Sequence, residues 1–213
     1  MHWSIIWEYR DALYQGLLDT LLLASIAIPG SLLLGVTLGC VASLPGWLPR
    51  ELVTLYVAPM RNLPIVVKLF FFYFVLGLEA WPAGVLTLVL HYSASIADIT
   101  RAGIRSVPRE QVEAARANGH SYAQAFRYVL LPQVFRIINP PLTSQFIDIV
   151  KNSSICMLIG VQELTFQTQE INQATFRGFE AATAVSVLYL LVAVVIVIAM
   201  TAIRRFAFAH SSK

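Results

Sequence analysis

The sequence predicts an all-α, polytopic membrane protein with five transmembrane helices, and three observations carry that prediction. Hydrophobic residues make up 57% of the 213-residue chain and charged residues only 13%, against about a quarter charged in an ordinary soluble domain. The apolar residues fall into long blocks, on the scale of the roughly 20 residues needed to cross a hydrocarbon core of about 30 Å. The Lys and Arg residues between the blocks are concentrated on alternate connections, the pattern that separates cytoplasmic from external loops.

The first block, residues 17–44, is interrupted only by Asp19 and the Pro29-Gly30 pair. It exceeds the bilayer thickness, so its helix tilts, kinks at Pro29 or protrudes. A Pro- and Gly-containing turn up to Arg50 leads to a second span at 52–78, broken by Arg61-Asn62-Leu63-Pro64 and carrying Lys68. Ala80-Trp81-Pro82 turns the chain into a third span at 82–104, polar at its far end with Asp98 and Arg101. The next stretch holds Arg101, Arg105, Arg109, Arg116, Arg127 and Arg136 at modest hydrophobicity. A fourth, weaker span at 134–160 contains Pro140-Pro141, Asp148 and Lys151. Residues 162–180 are polar, and 181–203 is the cleanest span, ended by Arg204-Arg205.

This count puts Arg50, the Arg-rich segment and the Arg204-Arg205 tail on one side. The expected topology is therefore N-terminus outside and C-terminus cytoplasmic, with residues 1–213 as one transmembrane domain. The first residues mix Glu8, Arg10 and Asp11 with aromatics, so no cleavable signal peptide is expected and the first span itself directs insertion. The net charge of +3 reports topology rather than nucleic-acid affinity. Cys40 and Cys156 lie in separate apolar segments and read as packing residues. His91 and His120 are isolated, so neither a metal site nor a catalytic set is expected. No Gly-rich phosphate loop with a following Lys is present, so the chain is not expected to bind ATP itself.

Residues 106–132 read as two short helices joined by a tight corner. Pro108 suits a first helical turn, and Glu110 and Glu113 complement the positive end of its dipole. Gly119 fits the left-handed position that ends a helix, and Ser121 with Gln124 is a capping-box signal for the next. Such a helix, with small Ala114 and Ala115, can lie in a partner's groove. The segment equally suits an ordinary structured loop whose arginines serve only topology.

Glu113-Ala114-Ala115, then Gly119, then Val129-Leu130-Leu131-Pro132 resembles the EAA signature of permease subunits in binding-protein-dependent ABC importers, with Val129 where that family usually has Ile. The resemblance covers roughly residues 13–205 and implies a MetI-like permease core. It implies that the segment is a coupling helix, with Glu113, Ala114, Ala115, Gly119, Leu131 and Pro132 docking a cytoplasmic ATPase subunit that carries ATP and Mg. It further implies a second permease chain, identical or paralogous, an extracytoplasmic amino-acid-binding protein, and residence in a bacterial inner membrane. This chain would then be a non-catalytic transport subunit without a cofactor of its own, in contact with membrane lipid. Arg61-Asn62-Leu63-Pro64, Lys151-Asn152-Ser153-Ser154 and Gly160-Val161-Gln162-Glu163-Leu164 resemble blocks of the polar amino-acid branch, though Asn62, Leu63 and Asn152 depart from the commonest form. The stretch 128–152 looks most like glutamate/aspartate permeases, with glutamine permeases near relatives.

Ionisable groups inside spans usually face a cavity or a partner. An amino acid offers a carboxylate and an ammonium, which makes Arg61, Asn62, Asp98, Lys151, Asn152 and Ser153 candidates for the substrate path, with Lys68, Arg101 and Asp148 weighed beside them. The alternative is local pairing of Asp98 with Arg101 and of Asp148 with Lys151, each three residues apart. An ion-coupled secondary transporter would also explain Asp98 and Asp148. It would not explain the 113–132 pattern, and no convincing internal repeat supports it. A membrane-embedded enzyme would need a convergent catalytic set that the sequence lacks.

Overall fold

The structure, a computed structural model, describes residues 3–208, and every regular element among them is helical. A short α1 (Ser4–Glu8) precedes α2 (Arg10–Val41), which runs unbroken with Pro29 inside it. α3 (Leu48–Asn62) and α4 (Ile65–Phe70) follow, the latter widening into a π-type turn over Phe71–Val75. α5 (Ala80–Ser106) is the central helix, packed against α2, α3, α4 and α8. α6 (Arg109–Ala117) and α7 (Tyr122–Ala125) form the segment between α5 and α8 (Leu131–Asn152). A tighter 3-10 stretch, Ser153–Ile159, leads to α9 (Leu164–Thr175) and α10 (Gly178–Phe208).

α2 and α5 approach so closely because α2 presents a row of small residues, Ala27, Ser31, Gly35 and Gly39, spaced four apart on one face. A Cβ added at Gly35 would lie 2.6 Å from Ile96 Cβ and 2.7 Å from the Ser93 carbonyl; one at Gly39 would lie 2.5 Å from Thr100 Cβ. Leu23, Leu69, Leu88, Ile96, Ile138 and Ile149 form the core around this seam.

α2, α5 and α10 are each long and apolar enough to cross a membrane. The second span, expected to be broken at Arg61-Asn62-Leu63-Pro64, is a bent pair. α3 and the α4 segment meet at 102° across Leu63-Pro64. Pro64 lacks an amide proton and its ring excludes helical continuation, so Leu63 is extended at φ −80°, ψ 136°. The weaker fourth stretch expected at 134–160 is α8 continued by the 3-10 stretch to Ile159. α8 ends at Asn152 and is less apolar than the helices above, and it is sheltered against α5, α2 and α10. α10 carries a broad exposed apolar face that includes Leu190, Leu191, Val194, Val195 and Ile198.

Candidate functional site

The segment between α5 and α8 is held by local hydrogen bonds at every turn. Val107 and Pro108 are extended, so Pro108 stands just before α6 rather than inside its first turn. At the other end Gly119 adopts φ +89°. Its amide donates to the Arg116 carbonyl at 3.0 Å, and the His120 amide donates to the Ala115 carbonyl at 3.2 Å. Those two bonds make a Schellman cap, which absorbs carbonyls the helix would leave open. Ser121 then starts α7 with a full capping box: the Gln124 amide donates to Ser121 Oγ at 3.2 Å and the Ser121 amide donates to Gln124 Oε1 at 2.7 Å. Across the corner the Arg116 guanidinium stacks 3.5 Å from the Tyr122 ring centroid. A Gln133 amide donating to Gln111 Oε1 at 2.6 Å ties α6 to α8.

The corner is therefore rigid, yet no residue of α6 is buried. Glu110, Glu113, Ala114 and Ala117 share one side by helical spacing. Glu113 also borders a cleft of about 710 Å³ shared with Leu44, Pro45, Arg105, Arg109 and Arg116. Ala115 is half-buried, and Leu131, 48% exposed, opens α8 with Pro132. A stiff helix that its own chain leaves uncovered, with an acidic group among arginines, has the form of a mount for another protein.

The candidate path residues do not converge on one place. Arg61, Asn62 and Asp98 share a cleft of about 400 Å³ between α3 and α5, lined also by Thr54, Ala58 and Arg101. There Arg61 donates to the Asp98 carboxylate across the two helices. Asp98 thus pairs with Arg61 and not, as local spacing allowed, with Arg101, whose Nε is buried without a hydrogen-bond partner among the described residues. No ion pair joins Asp148 to Lys151 among the described residues either. Lys151 is exposed on a different cleft, of about 640 Å³, with Ser154, Thr165, Thr168 and Tyr189. Asn152 donates to the Tyr92 hydroxyl at 2.5 Å, and that hydroxyl donates to the Asp148 carbonyl at 2.9 Å, which stitches α8 to α5. Ser153 is fully buried and donates to the Val150 carbonyl at 2.7 Å.

Two groups that sequence reasoning passed over stand out. Tyr92 is the hub of the α5–α8 contact just described. Glu163 is fully buried as the cap of α9, accepting from the amides of Thr165 at 3.0 Å and Phe166 at 2.9 Å and from the Tyr189 hydroxyl at 2.5 Å. Burial pushes its carboxyl above the usual range, while those hydrogen bonds pull it back. Little in the sequence signals Glu163, since glutamate is not among the residues that usually cap a helix start.

Comparison with known proteins gives a consistent set of likenesses. Residues 31–208 match the profile of the binding-protein-dependent transport system inner membrane component. The glutamine transport system permease protein GlnP of Escherichia coli K12 is 35% identical over 201 residues, covering 91% of this chain and 92% of that one. The probable glutamine ABC transporter permease protein GlnM of Bacillus subtilis 168 is 36% identical over 200 residues, covering 91% and 92%. The glutamate/aspartate import permease protein GltJ of Escherichia coli K12 is 31% identical over 215 residues, covering 92% and 87%. Among solved structures, an amino acid ABC transporter with histidines superposes with a TM-score of 0.86 at 30% identity, over 96% of this chain and 98% of that one. The MetNI methionine ABC transporter shares the fold at a TM-score of 0.78 and 22% identity, over 97% of this chain and 99% of that one.

Proposed function

The chain belongs to the family of binding-protein-dependent transport system inner membrane components, and on that premise we propose that it is the permease subunit of an ATP-driven importer of polar amino acids, glutamine or glutamate/aspartate. The relatives named for those substrates support the substrate class. The observation that carries the reading is the α6 corner, a rigid and uncovered helix between α5 and α8 that bears Glu113 and Ala114 on its exposed side.

In this reading α2, the bent α3–α4 pair, α5, α8 and α10 are the five spans, with the N-terminus outside and the Arg-rich corner and C-terminus in the cytoplasm. The exposed apolar face of α10 supports contact with lipid or with a second permease chain, identical or paralogous. ATP and Mg sit on ATPase subunits beneath, and a binding protein delivers the amino acid from outside, so this chain performs no chemistry itself. ATP binding draws the ATPase pair together, and α6 is carried with it. Because its corner is stiff, that displacement passes into α5 and α8 and switches the path between inward-open and outward-open. Nucleotide can shift this equilibrium only by its differential affinity for the two states.

In the complete complex in liposomes, Glu113→Lys reverses the charge on the docking face while leaving the corner's hydrogen bonds intact. Amino-acid-stimulated ATP hydrolysis should fall sharply. Unchanged hydrolysis in a fully assembled complex would sink the docking assignment.

A further inference from the structure

The break at Leu63-Pro64 poses a local problem. Where α3 stops, its last carbonyls lose the amide donors of a continuing helix, and a membrane interior offers no water to replace them. Lys68, one turn into α4 and only 4% exposed, meets that need. Its Nζ donates to the Met60 carbonyl and to the Leu63 carbonyl at 3.1 Å, and it lies 2.7 Å from His91 Nδ1, which is itself 3.1 Å from the Met60 carbonyl. An ammonium has three N–H bonds, and each has an acceptor here. With the ammonium donating, His91 is assigned the tautomer that accepts at Nδ1 and carries its proton on Nε2, and the approach of Nδ1 to the Met60 carbonyl is then a contact rather than a hydrogen bond. Among the described residues no carboxylate hydrogen-bonds Lys68; the carbonyl end of the α3 dipole supplies the compensating negative charge.

The clamp reaches three elements at once: the end of α3 through Met60, the break through Leu63, and α5 through His91. Arg61 and Asn62 occupy the same last turn of α3, and Arg61 meets Asp98 on α5. We propose that Lys68 and His91 are positioning residues that hold the α3–α4 bend and thereby set where Arg61 and Asn62 stand in the cleft. The link to transport rests on the permease reading above; the clamp itself does not.

The test uses the complete complex in liposomes, with Cys40 and Cys156 replaced by alanine and nitroxide labels at Leu55 and Phe74, both well exposed on either side of the bend. Lys68→Met removes every donor and should shift or broaden the label distance. Losing hydrogen bonds from a charged group should also raise the amino-acid KM of uptake by about tenfold, with a smaller change in maximal rate. Lys68→Gln keeps amide donors and His91→Gln keeps an acceptor, so both should stay near the parent, whereas His91→Leu should move toward Lys68→Met. An unchanged distance and KM in Lys68→Met overturns the proposal. If that variant does not assemble, unchanged values in His91→Leu overturn it instead. A parent complex without amino-acid-dependent uptake refutes the permease reading, while the distance measurement still decides the clamp.

Discussion

Gly119 allows a test of whether the corner's geometry, rather than the chemistry of its surface, transmits motion. Its φ of +89° is a conformation that L side chains rarely adopt, and a Cβ added there would find nothing within 4 Å. A substitution therefore acts through the backbone alone. An L-residue held left-handed costs about 1–2 kcal/mol, which amounts to a factor of about 5–30 in the fraction of chains that keep the corner. Escape from the corner also breaks the Gly119-to-Arg116 and His120-to-Ala115 hydrogen bonds that cap α6. Amino-acid-stimulated ATP hydrolysis in the reconstituted complex should rank Gly, then Asn, then Ala, then Val. Asn falls early because its short polar side chain tolerates this region, and Val falls last because of its branched Cβ. Melting of the membrane core should not follow that order, since Gly119 touches none of it. Valine performing as well as glycine, or asparagine as poorly as valine, would refute the reasoning.

Three further outcomes follow from the packing and the charges. Arg61 and Asp98 are 53% and 37% exposed as side chains, so their pair is worth only about 0–1 kcal/mol of stability; Asp98→Asn should leave melting nearly unchanged while uptake drops, and unchanged uptake would remove the pair from the path. Gly35→Ala drives a Cβ to 2.6 Å from Ile96 Cβ and 2.7 Å from the Ser93 carbonyl, an overpacking of about 1–3 kcal/mol; the complex should melt lower, with only part of the loss recovered by adding Ile96→Ala, because the carbonyl stays in place. Glu163 has a folded-state carboxyl raised by burial, so the folded chain holds that proton more tightly than the unfolded one. Its contribution is therefore most favourable at low pH and is lost as pH rises from about 4.3, the ordinary glutamate value, through the raised folded value. Glu163→Gln should flatten that part of the melting-versus-pH curve, whereas Glu163→Ala should lower melting throughout by removing a cap worth roughly 0.5–2 kcal/mol.

The sequence by itself determined the features that depend on neighbours a few positions apart. The left-handed end of α6 at Gly119 and the Ser121–Gln124 capping box were legible because each is closed by residues within about one helical turn. The all-helical membrane character was legible because apolar blocks of that length have few other solutions. Pro64 marked a break, although not its 102° angle, since proline forbids continuation but neighbouring helices choose the new direction.

Only the tertiary structure decided which ionisable groups meet. Spacing along α5 offered Asp98 to Arg101, but the folded chain brings in Arg61 from 37 residues away. Lys68 looked like one more intramembrane charge until the fold set it against the open carbonyls of α3 and against His91, 23 residues distant. Asn152 and Ser153 are neighbours of Lys151 in sequence, yet one is tied to Tyr92, the other is buried against its own helix, and the lysine faces a different cleft. Successive residues on a helix point about 100° apart, so adjacency in sequence separates side chains that only the packing of distant helices can bring together.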